Sequence, residues 1–295
     1  MIILRALAVL LIWLSFNVHG QQPTWRLVDQ QNLLYIETEH GLITIELAEF
    51  FAPRHVAHIQ QLVRRGFYDG LPFYRVIENF VVQAGDQGYQ QSTGSSNAIR
   101  AEMTRPIEAQ KSNVGQQVGD ERPIDEPFTL VQDGDLLAPQ TGFINGFAVA
   151  RSPQENKQWL IHCPGVINLA RGTDIHSGTT DFAIMLGVPP RHLDRNMSVF
   201  GRVIDGWQTL YRITLGDNGA GGFADLRSAT IIKRAYLGSQ QAPHQQVWIE
   251  DTSSEHFRQK LAQRRLYQDD FFDYKGNNKL DVCYQKVAVK TTASH

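Results

Sequence analysis

The chain has 295 residues, 42% of them hydrophobic and 20% charged, which allows a sizeable core and excludes a wholly disordered chain. Its 28 Lys and Arg stand against 30 Asp and Glu, a formal net charge of -2. That balance offers no broad basic face to a phosphate backbone, so nucleic acid is not expected as a partner.

The first twenty residues differ in kind. Arg5 precedes the apolar run 6–14, and Val18 and Gly20 follow at the two-residue spacing of a cleavage site. Residues 1–20 are expected to be a signal peptide cut near Gly20–Gln21. The run is shorter than the about 20 residues of a spanning helix, and no later segment is apolar enough to cross a membrane. The mature chain is expected to be exported and to have no membrane span.

Residues 33–37 and 41–47 read as a strand hairpin turned near Gly41. Val56, Ile59, Leu62 and Val63 fall at helical spacing between Pro53, which suits a first turn, and Gly66, which suits an end. Strands follow near 73–77 and 80–84. The polar stretch 86–135 shows little periodicity and reads as loops with an insertion. Strand-like segments return at 147–151, 165–170, 181–186 and 198–203. A second helix is expected over 204–213 and a last strand over 229–237. Many short strands with two helices suggest a mainly β, closed barrel.

Past Gly238, residues 239–246 read as a linker. A helix is expected from Ser254 to Leu266, with Thr252 and Glu255 at capping-box spacing and Phe257 and Leu261 on one face. The extension 243–290 is therefore expected to be helical, and its Arg258, Lys260, Arg264 and Arg265 to form a solvated face. Two cysteines, Cys163 and Cys283, permit one disulfide in an oxidising compartment or two buried thiols. His162 beside Cys163 lacks the second pair that structural zinc needs, so no metal is expected.

The chemistry concentrates in residues 73–86. An arginine among apolar strand residues is costly unless it is paired or functional. The string as a whole resembles the cyclophilin signature, Phe-His-Arg-x-Ile-x-x-Phe-x-x-Gln-x-Gly-Asp. Phe73, Arg75, Ile77, Phe80, Gln83, Gly85 and Asp86 fall in place, and Tyr74 replaces the histidine. Residues 66–70, 167–171 and 199–206 resemble three further segments of that family. The resemblance spans 33–237, with an insertion near 105–164.

It implies an eight-stranded antiparallel barrel with two capping helices, using no metal, cofactor or covalent intermediate. Such a barrel binds proline in an apolar pocket on its outer face and catalyses rotation about the preceding peptide bond. Partners would be proline-containing segments of exported proteins, and the bacterial form of residues 167–171 implies the periplasm. Rotation faces a barrier of about 18–20 kcal/mol, because resonance stiffens the C–N bond. A donor aimed at the prolyl nitrogen engages it only once the amide twists, which stabilises the transition state selectively.

By this resemblance Arg75 is that donor, and Gln83 orients it and bonds substrate backbone. Phe73, Phe80 and Val81 belong to the pocket, and Ala170 and Arg171 offer main-chain contacts. The departures are on the far wall. Asp181 and Ala183 stand for a glutamine and a phenylalanine, His192–Leu193 for a tryptophan–leucine pair, and Met197 for a histidine. Ala183 is expected to leave a gap unless Met185, Met197 or Phe182 fills it, and Asp181 to compete for Arg75 through an ion pair. The alternative function is a weak or inactive module that holds proline-containing segments. A hydrolase has no support: no G-x-S-x-G or H-E-x-x-H is present, and Gly219–Gly222 reads as a turn.

Overall fold

The structure is a computed structural model and describes residues 23–86, 98–107, 126–187, 191–241 and 245–292. The expected signal peptide and the polar runs 90–97 and 116–123 lie outside the described residues.

The chain begins with β1 (Trp25–Leu27), β2 (Leu33–Thr38), β3 (Gly41–Leu47), α1 (Pro53–Arg64), β4 (Arg75–Ile77) and β5 (Val81–Ala84). Then come β6 (Thr129–Asp133), β7 (Gln140–Ile144), β8 (Phe147–Ser152) and β9 (Lys157–Leu160). Next are β10 (Val166–Leu169), β11 (Phe182–Met185), β12 (Ser198–Asp205), α2 (Trp207–Leu210) and β13 (Arg234–Leu237). The chain ends in β14 (Gln246–Glu250), α3 (Glu255–Arg264) and β15 (Val289–Thr292).

Eight strands form one antiparallel sheet in the order β13-β2-β3-β12-β10-β11-β5-β4. Its two edges meet just before β4 and β13. There Pro72 bridges Ile231, Gly70 donates to the Ile232 carbonyl at 2.7 Å, and Phe73 donates to Thr230 at 2.9 Å. The curled sheet is thereby closed by backbone bonds. Alternation sends Ile43, Ile45, Val82, Ile184 and Phe200 inward, all fully buried. Helix α1 begins with Pro53 at its first turn and packs Val56, Ile59 and Val63 on the same core.

The second expected helix is a single turn. Strand β12 runs on through Asp205, and Gly206 turns the chain at φ +86°. A Cβ there would lie 2.2 Å from the Leu42 carbonyl, so only glycine allows β12 to pass β3 so closely.

The insertion contains the strand expected at 147–151 as β8, and also strand where loops are expected, β6 lying within 86–135. It carries β6 to β9, an antiparallel four-stranded sheet of its own. Asn145 (φ +50°) and Gly146 (φ +80°) turn β7 into β8, the left-handed pair a tight hairpin demands. This sheet lies over the outer face of the barrel. Val81, Val166, Ala183, Met185 and Val199 face outward yet are buried, in one apolar cluster with Phe143, Val149 and Leu160. Glu46 on β3 also points outward and is 3% exposed. It binds Arg26 at 2.5 Å and Arg202 at 2.9 Å, and these arginines donate to the carbonyls of Asn145 and Gly146. The hairpin is thus clamped to the barrel by charge-assisted bonds.

The C-terminal extension is not purely helical. Its β14 pairs with β1 on one side and β15 on the other, a third sheet built from both ends of the chain. Helix α3 is capped by Ser254, whose hydroxyl accepts from the Phe257 amide at 3.1 Å. Thr252, the expected cap, accepts from Gly146 instead. Phe257 and Leu261 are buried as their spacing predicts, and Phe257 meets Phe143 edge-on at 5.5 Å. A disulfide joins Cys163, just before β10, to Cys283, and so ties the extension to the barrel.

Candidate active site

Arg75 and Gln83 are directly paired across β4 and β5. The guanidinium of Arg75 donates through Nη1 to Gln83 Oε1 at 3.3 Å and through Nε to the Ala220 carbonyl at 2.9 Å. Its Cζ lies 5.9 Å from the centre of the Phe80 ring. Two of its five N–H groups are thereby fixed, and the remaining three form a rigid fork at a partly exposed position.

The Ala220 carbonyl was not foreseen. It belongs to the glycine-rich turn, which lies along β4: Val76 donates to the Gly221 carbonyl at 2.7 Å. Gly221 has φ +82°, and a Cβ there would meet Ile77 at 2.4 Å. The glycines let this turn approach β4 closely enough for Ala220 to hold Arg75.

Two departures from the family pattern meet each other. The Tyr74 hydroxyl donates to Asp181 Oδ1 at 2.7 Å and accepts from Gln83 Nε2. Asp181 therefore reaches Arg75 through Tyr74 and Gln83, in place of the expected competing ion pair. Burial, with the Asp181 carboxylate beside it, pushes the Tyr74 hydroxyl far above its ordinary value, so it stays a donor. Asp181 is 2% exposed, and a Cβ on Gly85 (φ +140°) would fall 2.6 Å from its Cα. Gly85 of the signature is thus the residue that admits Asp181. Replacing Tyr74 by Phe should free Gln83 to rotate and lower kcat/KM by about 1 kcal/mol, about fivefold. Peptide isomerase kinetics on Tyr74→Phe check this, and an unchanged kcat/KM would detach Tyr74 from the site.

The other expected site residues divide. Phe80 is partly buried on the outer side and is held by a turn, with Asn79 at φ +56° and the Leu186 amide donating to the Phe80 carbonyl at 3.0 Å. Phe73 is fully buried in the barrel interior and cannot touch a peptide, because it precedes β4 and its phase differs from that of Arg75. Phe182 also faces inward, edge-on to Tyr68 at 5.3 Å, so it does not fill the space beside Ala183. Val81 and Ala183 are 2% and 5% exposed. They back the pocket rather than line it. The inserted sheet and Met185 occupy the cluster that contains them, so the aromatic wall is replaced from outside.

Ala170 donates its N–H to the Asp181 carbonyl, which anchors that loop. Arg171 spends its guanidinium on the Asn196 carbonyl at 2.9 and 3.0 Å. His192 is exposed, Leu193 packs on the buried cluster, and Met197 is partly exposed. Arg191 and Asp194 secure that turn. Asp194 binds Arg191 Nε at 2.5 Å and accepts from the His162 amide and ring. Burial pushes the Asp194 carboxyl up, but the His162 hydrogen bond and the Arg191 charge outweigh it and hold the carboxyl below its ordinary value. Among the described residues no group of three or more His, Cys, Asp or Glu could hold a metal ion.

A closed eight-stranded barrel with an arginine–glutamine pair beside an outward aromatic ring defines the cyclophilin class of fold and site. The model of the family "Cyclophilin type peptidyl-prolyl cis-trans isomerase/CLD" matches residues 33–235, more than half of the chain, and the chain belongs to that family. A Brucella suis protein described as a probable peptidyl-prolyl cis-trans isomerase is 26% identical over 204 residues, covering 68% of this chain and 82% of that protein. A crystal structure of a cyclophilin from Hirschia baltica aligns with a TM-score of 0.70 at 28% identity, covering 92% of this chain and 94% of the other.

Proposed function

We propose that the mature chain is a peptidyl-prolyl cis-trans isomerase acting on proline-containing segments of exported polypeptides. The observation that carries this is Arg75, fixed by Gln83 and Ala220 beside the Phe80 ring with N–H groups to spare. Proline packs on Phe80, and the amide before it lies under the guanidinium. As that amide twists, its nitrogen loses conjugation and becomes an acceptor, and the arginine fork meets it without reorganising. No bond to the protein forms. The name given to the Brucella suis protein and the family membership support the same reaction.

Added to a protein whose refolding is limited by an X–Pro bond, the chain should speed the slow phase in proportion to its concentration. A slow phase that does not change would reject the proposal. One observation favours a second reading, binding without fast turnover: Val81 and Ala183 are buried in the cluster shared with the inserted sheet, so neither offers its side chain to a bound proline. The two readings part on turnover, since the second predicts bound peptide at an unaltered exchange rate.

Export rests on Arg5 with the apolar run 6–14, and on a disulfide, which persists in oxidising compartments such as the periplasm. Among the described residues no helix is long and apolar enough to cross a membrane. Mass spectrometry of the periplasmic protein should give an N-terminus near Gln21. An intact Met1 there would contradict cleavage.

A further inference from the structure

The glycine-rich turn that holds Arg75 is itself organised around one residue, Asn218. Its side-chain Oδ1 accepts from the Ala220 amide at 3.0 Å and from the Gly222 amide at 3.1 Å. Its backbone carbonyl accepts from the Gly221 amide at 2.8 Å. Ala220, held between these bonds, presents its own carbonyl to Arg75 Nε at 2.9 Å. Gly219 follows Asn218, both are exposed, and among the described residues no acceptor takes the Gly219 amide.

The pair thus contains the parts of an intramolecular reaction. The Gly219 nitrogen is tethered next to the Asn218 side-chain carbonyl, and no Cβ on its own residue crowds it. The two amides on Oδ1 face the oxygen on which charge develops when that carbonyl is attacked. The chain's other Asn-Gly pair, Asn145–Gly146, is built differently. Gly146 is buried, its amide donates to Thr252 Oγ1 at 3.1 Å, and Arg26 binds the Asn145 carbonyl at 2.9 Å.

We infer that Asn218–Gly219 is a site of spontaneous deamidation, and that its conversion to isoaspartate frees Arg75 from Ala220. Solvent base takes the Gly219 amide proton, and the nitrogen attacks Asn218 Cγ. The N–Cγ bond forms, the Cγ–Nδ2 bond breaks, and ammonia leaves, which closes a cyclic imide. Water then opens the ring at either carbonyl. Opening at Cγ leaves aspartate. Opening at the backbone carbonyl leaves isoaspartate, whose main chain runs on through Cβ and Cγ. The balance is asparagine plus water giving acid plus ammonia. In isoaspartate the side-chain and main-chain carbonyls exchange roles and the main chain lengthens, so the three amides gathered on Asn218 cannot all keep their acceptors. Ala220 then withdraws from Arg75. The consequence for turnover rests on the isomerase reading of the site.

The test incubates the mature chain in mildly alkaline buffer and samples it over time. Peptide mapping by mass spectrometry should show residue 218 converted to aspartate and isoaspartate while Asn145 stays an amide. The nitrogen–proton NMR signal of Arg75 Nε, assigned by its loss in Arg75→Lys, should shift in step with the isoaspartate. The kcat of that form should fall about tenfold, the worth of one hydrogen bond to a charged group, with KM little changed because Phe80 still receives the proline. Gly219→Ala is the control. Gly219 has no left-handed φ, and nothing lies within 4 Å of where its Cβ would stand, so the variant should fold and begin at the parent's kcat. Its methyl group crowds the attacking nitrogen, so it should keep both the Asn218 amide and its activity over the same interval. An Asn218 that survives as long as Asn145, or an Arg75 signal and a kcat that ignore the conversion, would overturn the inference and leave the isomerase intact. A fresh parent without turnover would overturn the isomerase reading alone, because the peptide map and the Arg75 signal still decide the modification.

Discussion

Replacing Arg75 by Ala should lower kcat/KM by about 2–4 kcal/mol, roughly 30- to 1000-fold, the usual effect of losing one preorganised donor. Arg75 is partly exposed and its partners are a side-chain amide and a turn carbonyl, so the barrel should keep its thermal midpoint. Arg75→Lys should recover only part of the loss. An ammonium lacks the planar fork that satisfies Gln83 and Ala220 while still facing the substrate. Peptide binding should fall far less than turnover, because the fork engages the twisted amide and not the planar one. A variant that isomerises as fast as the parent would make Arg75 a structural residue. Equal losses in binding and turnover would reassign it to substrate holding.

The second large effect concerns the disulfide. Cys163 and Cys283 are 120 residues apart, so the cross-link closes a long loop in the unfolded chain. The chain-entropy model gives about 4–5 kcal/mol for a loop of that length. The Cys163→Ser/Cys283→Ser variant should show a correspondingly lower urea midpoint. The loss should begin after β14: the bond holds a segment whose buried apolar anchors are Phe257, Leu261 and Val282. Limited proteolysis should cut the variant first between α3 and β15. If the variant unfolds at the parent's urea concentration, the extension is held by packing alone.

The barrel was legible because its signals are local. Ile43 and Ile45 alternate on β3, and Val56, Ile59 and Val63 recur at helical spacing after Pro53. The inserted sheet was hidden by its composition. Strand β7 contains Gly142, where a Cβ would collide with the Thr129 carbonyl and the Phe128 ring, so its central position carries no apolar side chain to read. The Asn145–Gly146 turn was a readable hairpin signal, and it was overlooked. Strands β14 and β15 form because β14 pairs with β1, more than two hundred residues earlier, and no local pattern announces such a partner.

The site divides in the same way. Arg75, Phe80 and Gln83 follow from the signature string. The Tyr74–Asp181 bond does not, because its two members are 107 residues apart and each looked like an isolated departure. Together they compensate: the tyrosine that replaces a histidine donates to the carboxylate that replaces a glutamine, and keeps that carboxylate two side chains away from Arg75. Phe73 belongs to the signature string, but it lies two residues before β4 and its ring packs in the barrel interior, which the string alone does not distinguish from a pocket position. Ala183 looked like a hole because the sheet that covers it was not foreseen.

The central claim is that this barrel face lowers the barrier to rotation about an X–Pro bond. Magnetisation exchange between the cis and trans signals of a proline peptide, in the presence of a small molar fraction of the mature chain, measures that directly. The account predicts exchange that rises linearly with the amount of chain and falls by at least about thirtyfold with Arg75→Ala. Exchange that stays at the uncatalysed rate, with or without bound peptide, would contradict it.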